Sequence, residues 1–212
     1  YNGDDGTIDE TRQPFSFKIK LKDAVRLEDS IFTEGTVSSI TWYNSNGDKV
    51  LSATDLNASL PILSAMIAAD EPYRIWDFLM TTDHKFVGSN NSMNPDWDGD
   101  DIKTGFGNDK VFAKGGNDFI TDFGGRDVYN GGEGFDVINY SDNFWRPYLG
   151  TKGIKADLAK GKITGPDGNV DKVIGIEGIR GTAAKDVMKG DANDNRFAGL
   201  QGNEVFDGRG GF

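Results

Sequence analysis

The sequence has no cysteine and only one histidine, His84, among its 212 residues. The absence of cysteine excludes a disulfide framework and any metal site built on thiolates. A single histidine excludes zinc sites with two histidine ligands, the HExxH protease motif and a Cys-His catalytic pair, and a Ser-His-Asp triad would have to use His84. We expect this histidine to lie at the surface or in a turn.

Long apolar runs and basic residues are also scarce. No apolar run approaches the length of a membrane span, and no N-terminal secretion signal is visible. Hydrophobic residues make up only 36% of the chain, whereas glycine occurs 29 times, so there is little material for one large layered core. The 23 basic and 34 acidic residues give a formal charge of −11. This balance argues against nucleic acids and anionic membranes as partners and suits bound cations.

What the sequence does contain is a pattern that returns every nine residues in the stretch 99–140. Its acidic members are Asp109, Asp118, Asp127 and Asp136. Two residues before each of them stands a glycine, namely Gly107, Gly116, Gly125 and Gly134. Two residues after each stands a core-type residue, namely Val111, Ile120, Tyr129 and Ile138. A turn of about six residues thus alternates with a strand of about three, which is typical of a parallel β-helix or β-roll.

The residue types of this turn suit a hard cation. Glycine permits close backbone approach, so a turn can direct several carbonyl oxygens into one small space, and aspartate is short enough to reach inward. Calcium binds six to eight such oxygens. One turn and one strand are half a coil, so ions are expected between turns eighteen residues apart. The expected pairs are Asp109 with Asp127, Asp118 with Asp136, and Asp118 with either Asp100 or Asp101.

These residues carry a resemblance to a known family. The segments TGFGND, AKGGND, DFGGRD and GGEGFD resemble the GGxGxDxUx nonapeptide of the RTX, or haemolysin-type calcium-binding, family of secreted bacterial proteins. Lys114 and Phe123 depart from it, since they stand where the family often has glycine. The resemblance implies a β-roll that holds Ca²⁺. It also implies type I secretion, with a signal at the extreme C-terminus, and a location outside the cell or on its surface.

Two further segments offer weaker metal ligands. Asp96 and Asp98 precede Gly99 with the spacing of half an EF-hand loop, but Gly105 stands where such a loop needs its final glutamate. The alternatives to a metal site here are an acidic surface loop and an irregular first turn of the roll.

A second run of the nine-residue step places an acid or amide at Asp186, Asn195 and Glu204. Asn195 brings no charge, and the glutamate has an extra methylene. We therefore predict at most one weaker site here, between Asp186 and Glu204.

The sequence predicts a mainly β chain, a parallel β-roll with a small N-terminal α+β capping module. In the capping module, alternating apolar residues predict a strand at 15–21, and the turn residues Asn46 and Gly47 predict a hairpin of strands at 37–43 and 49–52. Two short helices are expected within 57–80, starting near Ser59. The predicted divisions are the capping module at 1–90, a calcium-binding roll block at 91–140, a β-rich spacer at 141–180, and a degenerate roll block at 181–212 whose unfinished last turn suggests a longer protein.

Two functions fit this organisation. The first is a calcium-binding module of a larger exported protein, with a structural, adhesive or secretion-linked folding role and no enzymatic activity of its own. Its partners would be calcium ions and, as further candidates, cell-surface or extracellular polymers. The alternative is a calcium-stabilised C-terminal part of a secreted carbohydrate-active enzyme or protease, because carboxylate pairs can serve as acid and base without histidine.

Overall fold

The computed structural model describes residues 16–26, 32–43, 47–59, 83–90, 99–141 and 152–211. These segments form sixteen β-strands and one short 3₁₀ helix. The strands lie in one sheet of eleven strands, which we call the large sheet, and one of five, which we call the small sheet. The predicted mainly β character is therefore confirmed for the described part of the chain.

The N-terminal part is an antiparallel meander that leads into the roll. Its strands are β1 (Ser16–Arg26), β2 (Phe32–Tyr43), β3 (Lys49–Ser59) and β4 (Lys85–Val87). All three predicted strands occur, and each is longer than its sequence pattern indicated. β3 ends at Ser59, so the strand includes the first three residues of the segment predicted as helical, 57–59. The rest of the predicted helical segment lies outside the described residues.

The nine-residue pattern forms the roll itself. Its strands are β5 (Asp101–Lys103), β6 (Lys110–Gly115), β7 (Phe119–Thr121), β8 (Val128–Glu133) and β9 (Val137–Asn139). Successive strands alternate between the two sheets and pair in parallel with the strand one coil later, so that Lys110 faces Val128 and Phe119 faces Val137. This register of eighteen residues confirms that successive turns lie on opposite edges of a roll.

The C-terminal strands extend the same two sheets. They are β10 (Lys155–Asp157), β11 (Lys162–Thr164), β12 (Val170–Ile174), β13 (Gly178–Arg180), β14 (Val187–Lys189), β15 (Arg196–Ala198) and β16 (Val205–Asp207). The 3₁₀ helix Leu158–Lys160 joins β10 to β11. In the large sheet β12 pairs in parallel with β8, and β11 and β10 then run antiparallel before the parallel stacking resumes with β14 and β16. The small sheet stays parallel throughout, in the order β5, β7, β9, β13, β15. The segment predicted as a spacer therefore interrupts the large sheet only.

The core fills the space between the two sheets. Its members include the residue two positions after each repeated aspartate and also Ile179, and these side chains are at most 2% exposed: Ile102, Val111, Ile120, Tyr129, Ile138, Ile179 and Met188. Burying such a side chain stabilises the fold by roughly 1.5–3 kcal/mol. At the end of the stack Phe206 is 49% exposed, because no coil beyond β16 covers it among the described residues.

Candidate metal centre

The repeated aspartates form two rows, one along each edge of the roll. We call them the Asp109 row, which continues to Asp127, and the Asp118 row, which begins at Asp100 and continues to Asp136. Their five side chains are at most 1% exposed. The structure thus brings together the pairs that the sequence predicted.

Within each row, the backbone N–H of one aspartate donates to Oδ1 of the aspartate one coil later. The N···O distances are 2.7 Å from Asp100 to Asp118, 2.6 Å from Asp109 to Asp127 and 2.8 Å from Asp118 to Asp136. Asp101, the alternative for the third pair, lies exposed at the start of β5. The row therefore begins at Asp100.

The rows contain oxygen atoms that suit a cation. Asp100 Oδ1 and Asp136 Oδ2 are buried and have no hydrogen-bond partner among the described residues. A Cβ added at Gly131 would collide with this Asp136 oxygen, and one added at Gly88 would collide with Asp100 Oδ2, which accepts the N–H of Ser89 at 2.9 Å. Each would also collide with a backbone carbonyl oxygen of the next coil. Carboxylate and carbonyl oxygens thus converge on spaces that only glycine leaves open. This donor set fits Ca²⁺, which prefers such mixed oxygen ligands.

Burial makes these carboxyl groups hard to ionise without a cation. The pKa of Asp100, Asp127 and Asp136 rises from 3.8 to about 7, mainly because the buried carboxylate loses its hydration. Neighbouring carboxylates add to the rise, for example Asp118 beside Asp100. A nearby divalent cation reverses this preference, since it favours the charged form.

The two turn positions that depart from glycine behave differently. Lys114 has a φ of +84°, the left-handed conformation that glycine adopts easily, and Gly132 has a φ of +113° at the same position one coil later. Phe123 is not among the residues with positive φ; its ring is buried and lies 6.0 Å from that of Phe106. Lysine is therefore strained where it replaces glycine, whereas phenylalanine packs.

A buried group of three acids was not predicted. Ligand atoms of Asp122, Asp127 and Asp171 lie within 4.8 Å of one another, close enough to hold a metal ion. Tyr129 OH lies 2.6 Å from Asp122 Oδ2 and 2.8 Å from Asp127 Oδ2, and Tyr140 OH donates to Asp171 Oδ2 at 2.9 Å. Burial raises the pKa of Asp171 to about 8 and that of Asp122 well above its usual range. Asp122 opens the segment DFGGRD where the family pattern has glycine, and this was the one available sequence signal.

Both rows continue into the segment predicted as a spacer. The N–H of Asp127 donates to Asp171 Oδ1 at 3.0 Å, and the N–H of Asp136 donates to Glu177 Oε2 at 3.0 Å. These two acids thus take the positions that the next repeated aspartates would occupy. Sequence reasoning missed them because the nine-residue step is lost between the rows and these residues.

The second repeat block resembles the first in its pairing. The N–H of Asp186 donates to Glu204 Oε2 at 2.5 Å, across the predicted eighteen residues. Glu204 Oε1 is buried and has no hydrogen-bond partner in the described part of the chain. Asn195 Oδ1 accepts from the N–H of Asp191 in its own turn at 2.8 Å.

Two remaining predictions concern the start of the roll. Asp96 and Asp98 lie outside the described residues, so that half-loop stays a prediction. His84 was expected at the surface or in a turn; it directly precedes β4 and is buried, with only 5% of its surface exposed. Its N–H donates to Asp109 Oδ1 at 2.6 Å, and its Nδ1 lies 3.4 Å from the same oxygen. Parallel pairing of β4 with β6 sets Lys85 opposite Lys110, so His84 lies beside Asp109. His84 therefore takes the position that an aspartate one coil earlier in the Asp109 row would have.

Comparison with protein families agrees with this geometry. Residues 103–138 and 180–212 match the model of the RTX calcium-binding nonapeptide repeat (4 copies). The chain therefore carries RTX calcium-binding repeats, a repeat family typical of secreted bacterial proteins. A comparison with curated proteins gave no significant match. Within the described residues, no helix has the length and hydropathy needed to span a membrane.

Proposed function

We propose that this chain is a calcium-binding β-roll module of an exported bacterial protein, which folds when it meets calcium outside the cell and has a structural, adhesive or secretion-linked folding role. The observation that carries the proposal is the pair of buried aspartate rows. Their side chains are at most 1% exposed, and the pKa of three of the five carboxyl groups is raised to about 7.

The mechanism is electrostatic. At neutral pH a chain without cations must either protonate these buried acids or bring unhydrated negative charges together, and both oppose closure of the turns. Bound calcium supplies the positive charge that makes the ionised rows favourable. The chain's own part is to position carboxylates and backbone carbonyls around each glycine-lined space. Binding free energy then becomes folding free energy, and extracellular modules bind calcium at about 10⁻⁴–10⁻³ M.

A calcium titration of chelator-treated protein, followed by far-UV circular dichroism beside a magnesium control, tests this mechanism. We expect a cooperative gain of β signal with calcium and little change with magnesium. A chain that is fully folded in chelator and does not respond to calcium would refute the proposed folding switch.

Asp118→Asn tests the assignment of the rows. Asp118 bonds to the coils on both sides, accepting from Asp100 and donating to Asp136. We expect the calcium midpoint to rise about tenfold, which is a loss of about 1.4 kcal/mol in binding free energy, and cooperativity to fall. The matched control is Asp101→Asn, because Asp101 loses the same charge but lies exposed outside the row. An unchanged titration of Asp118→Asn would contradict the proposed row.

A further inference from the structure

The junction between the first repeat block and the following strands contains an incomplete set of ligand atoms. Asp136 is the last aspartate of the Asp118 row and is fully buried. Its Oδ1 accepts the N–H of Asp118 at 2.8 Å, whereas its Oδ2 is buried and has no hydrogen-bond partner among the described residues. A buried carboxylate oxygen without a donor is unfavourable unless a cation or another group approaches it.

The surroundings of this oxygen form a small space lined by glycine. A Cβ added at Gly131 would collide both with Asp136 Oδ2 and with the carbonyl oxygen of Gly175. These two oxygens therefore converge on the same point. The start of the roll has a similar arrangement at Gly88, where an added Cβ would collide with Asp100 Oδ2 and the carbonyl oxygen of Ala113, although this Asp100 oxygen also accepts the N–H of Ser89. Gly175 thus supplies the carbonyl oxygen that the repeat residue Ala113 supplies at Gly88.

The third group at this junction is the carboxylate of Glu177. Parallel pairing of β13 with β9 sets Gly178 opposite Val137, so Glu177 stands beside Asp136. The N–H of Asp136 donates to Glu177 Oε2 at 3.0 Å, and the N–H of Glu177 donates to the Asp136 carbonyl oxygen at 3.1 Å. Glu177 therefore occupies the next aspartate position of the row, although it lies 41 residues further along the chain instead of eighteen.

We propose that the strands after the first repeat block complete a calcium site of their own, formed by the carboxylates of Asp136 and Glu177 and the carbonyl oxygen of Gly175. This inference rests on the proposed calcium binding of the rows. Gly175 and Glu177 lie outside the two stretches that match the repeat family, 103–138 and 180–212. The site is therefore one that the repeat pattern does not assign.

Such a site connects the two repeat blocks. The carbonyl oxygen of Glu177 accepts the N–H of Arg196 at 2.9 Å, and β13 pairs in parallel with β15 of the second block. Calcium held between Asp136 and Glu177 thus ties the first block to the strand on which the second block stacks. Folding of the two blocks then occurs as one cooperative unit.

Glu177→Gln tests the site, because glutamine keeps an oxygen that accepts the Asp136 N–H but loses the charge. Calcium alone is the probe, and bound ions are counted by native mass spectrometry and isothermal titration on the whole chain after chelator treatment. We expect one ion fewer, or one binding step weakened at least about tenfold. The matched control is Glu133→Gln, since Glu133 is an exposed acid of β8 near the same turn. This control should bind calcium as the unmodified chain does.

Each outcome separates this inference from the proposed function. If the unmodified chain binds no calcium, the proposed function fails and this site fails with it. If Asp118→Asn lowers calcium binding and Glu177→Gln does not, only the junction site is overturned. If Glu177→Gln fails to fold in saturating calcium, the ion count of a second variant decides, and an undiminished count there overturns the site. A second variant, Gly131→Ala, fills the space between the two oxygens and should lose the same ion.

Discussion

At the scale of single residues, Lys114 shows the cost of departing from the repeat pattern. Its left-handed backbone, with φ of +84°, is unfavourable for any residue with a Cβ. We expect Lys114→Gly to stabilise the calcium-saturated chain by up to about 1 kcal/mol, since relief of strain outweighs the added freedom of the unfolded chain. Denaturant unfolding at saturating calcium measures this change.

Gly132 is the matched control for this prediction, because it pairs with Lys114 one coil later and has a φ of +113°. A Cβ added at Gly132 would collide with the carbonyl oxygen of Lys114, so Gly132→Ala should lower the free energy of unfolding. If Lys114→Gly destabilises the chain, the lysine side chain contributes more than its backbone strain costs.

The nine-residue spacing in the sequence was enough to predict the repeated aspartates. It left Asp100 and Asp101 as alternatives, and the structure selects the one that keeps nine residues to Asp109. Asp171 and Glu177 were out of reach of this reasoning, because 44 and 41 residues separate them from their partners in the rows. Only the pairing of distant strands brings them into position.

At the scale of elements, strand β8 holds the turn at 122–127 through one side chain. The hydroxyl of Tyr129 lies within hydrogen-bond distance of Asp122 and Asp127, whose acceptor oxygens are otherwise buried. The hydroxyl has one proton, so it donates to one of these acids and accepts from the other acid's protonated carboxyl group, which fits the raised pKa of Asp122. Tyr129→Phe removes both hydrogen bonds. We expect a loss of about 1–3 kcal/mol in the free energy of unfolding, the usual penalty for a buried polar group left without its partner.

Tyr140→Phe provides the comparison for Tyr129→Phe. Tyr140 is equally buried but donates to one acid only, Asp171. Removal of the Tyr140 hydroxyl should therefore lower the free energy of unfolding by less than removal of the Tyr129 hydroxyl does. Denaturant unfolding at saturating calcium measures both losses. A loss for Tyr129→Phe no greater than that for Tyr140→Phe would show that the hydroxyl does not hold the turn.

The existence of most strands could be predicted, but their partners could not. Alternation of apolar residues gave β1, and turn chemistry around Gly47 gave the hairpin of β2 and β3. A β-rich segment was also expected at 141–180. Nothing in its sequence indicated that β12 pairs in parallel with β8 while β11 and β10 run antiparallel. Such long-range pairing depends on which faces are buried together, and local pattern carries little information about it.

At the scale of the whole molecule, the buried acids couple folding to pH. In the folded chain without metal, the pKa of Asp100, Asp127 and Asp136 is about 7 and that of Asp171 about 8, against an ordinary value of 3.8. Between about pH 4 and 8 the folded form therefore binds more protons than the unfolded form. By linkage, its stability falls as pH rises through this range. In chelator, we expect the β signal to be strongest near pH 4 and to decline towards pH 8.

Calcium should reverse this dependence, because protons and calcium compete for the same carboxylates. The calcium midpoint should fall as pH rises from about 5 to 8, and circular dichroism titrations at several pH values measure it. Asp157→Asn is the control: hydrogen bonds from Arg209 lower the pKa of Asp157 to about 2, so this exposed pair does not titrate in the range. A chelated chain that gains β structure as pH rises would show that the buried rows do not control folding. Opposite pH responses with and without calcium would therefore show that the buried acids ionise inside the roll only when calcium is bound, because calcium favours the charged form that burial disfavours.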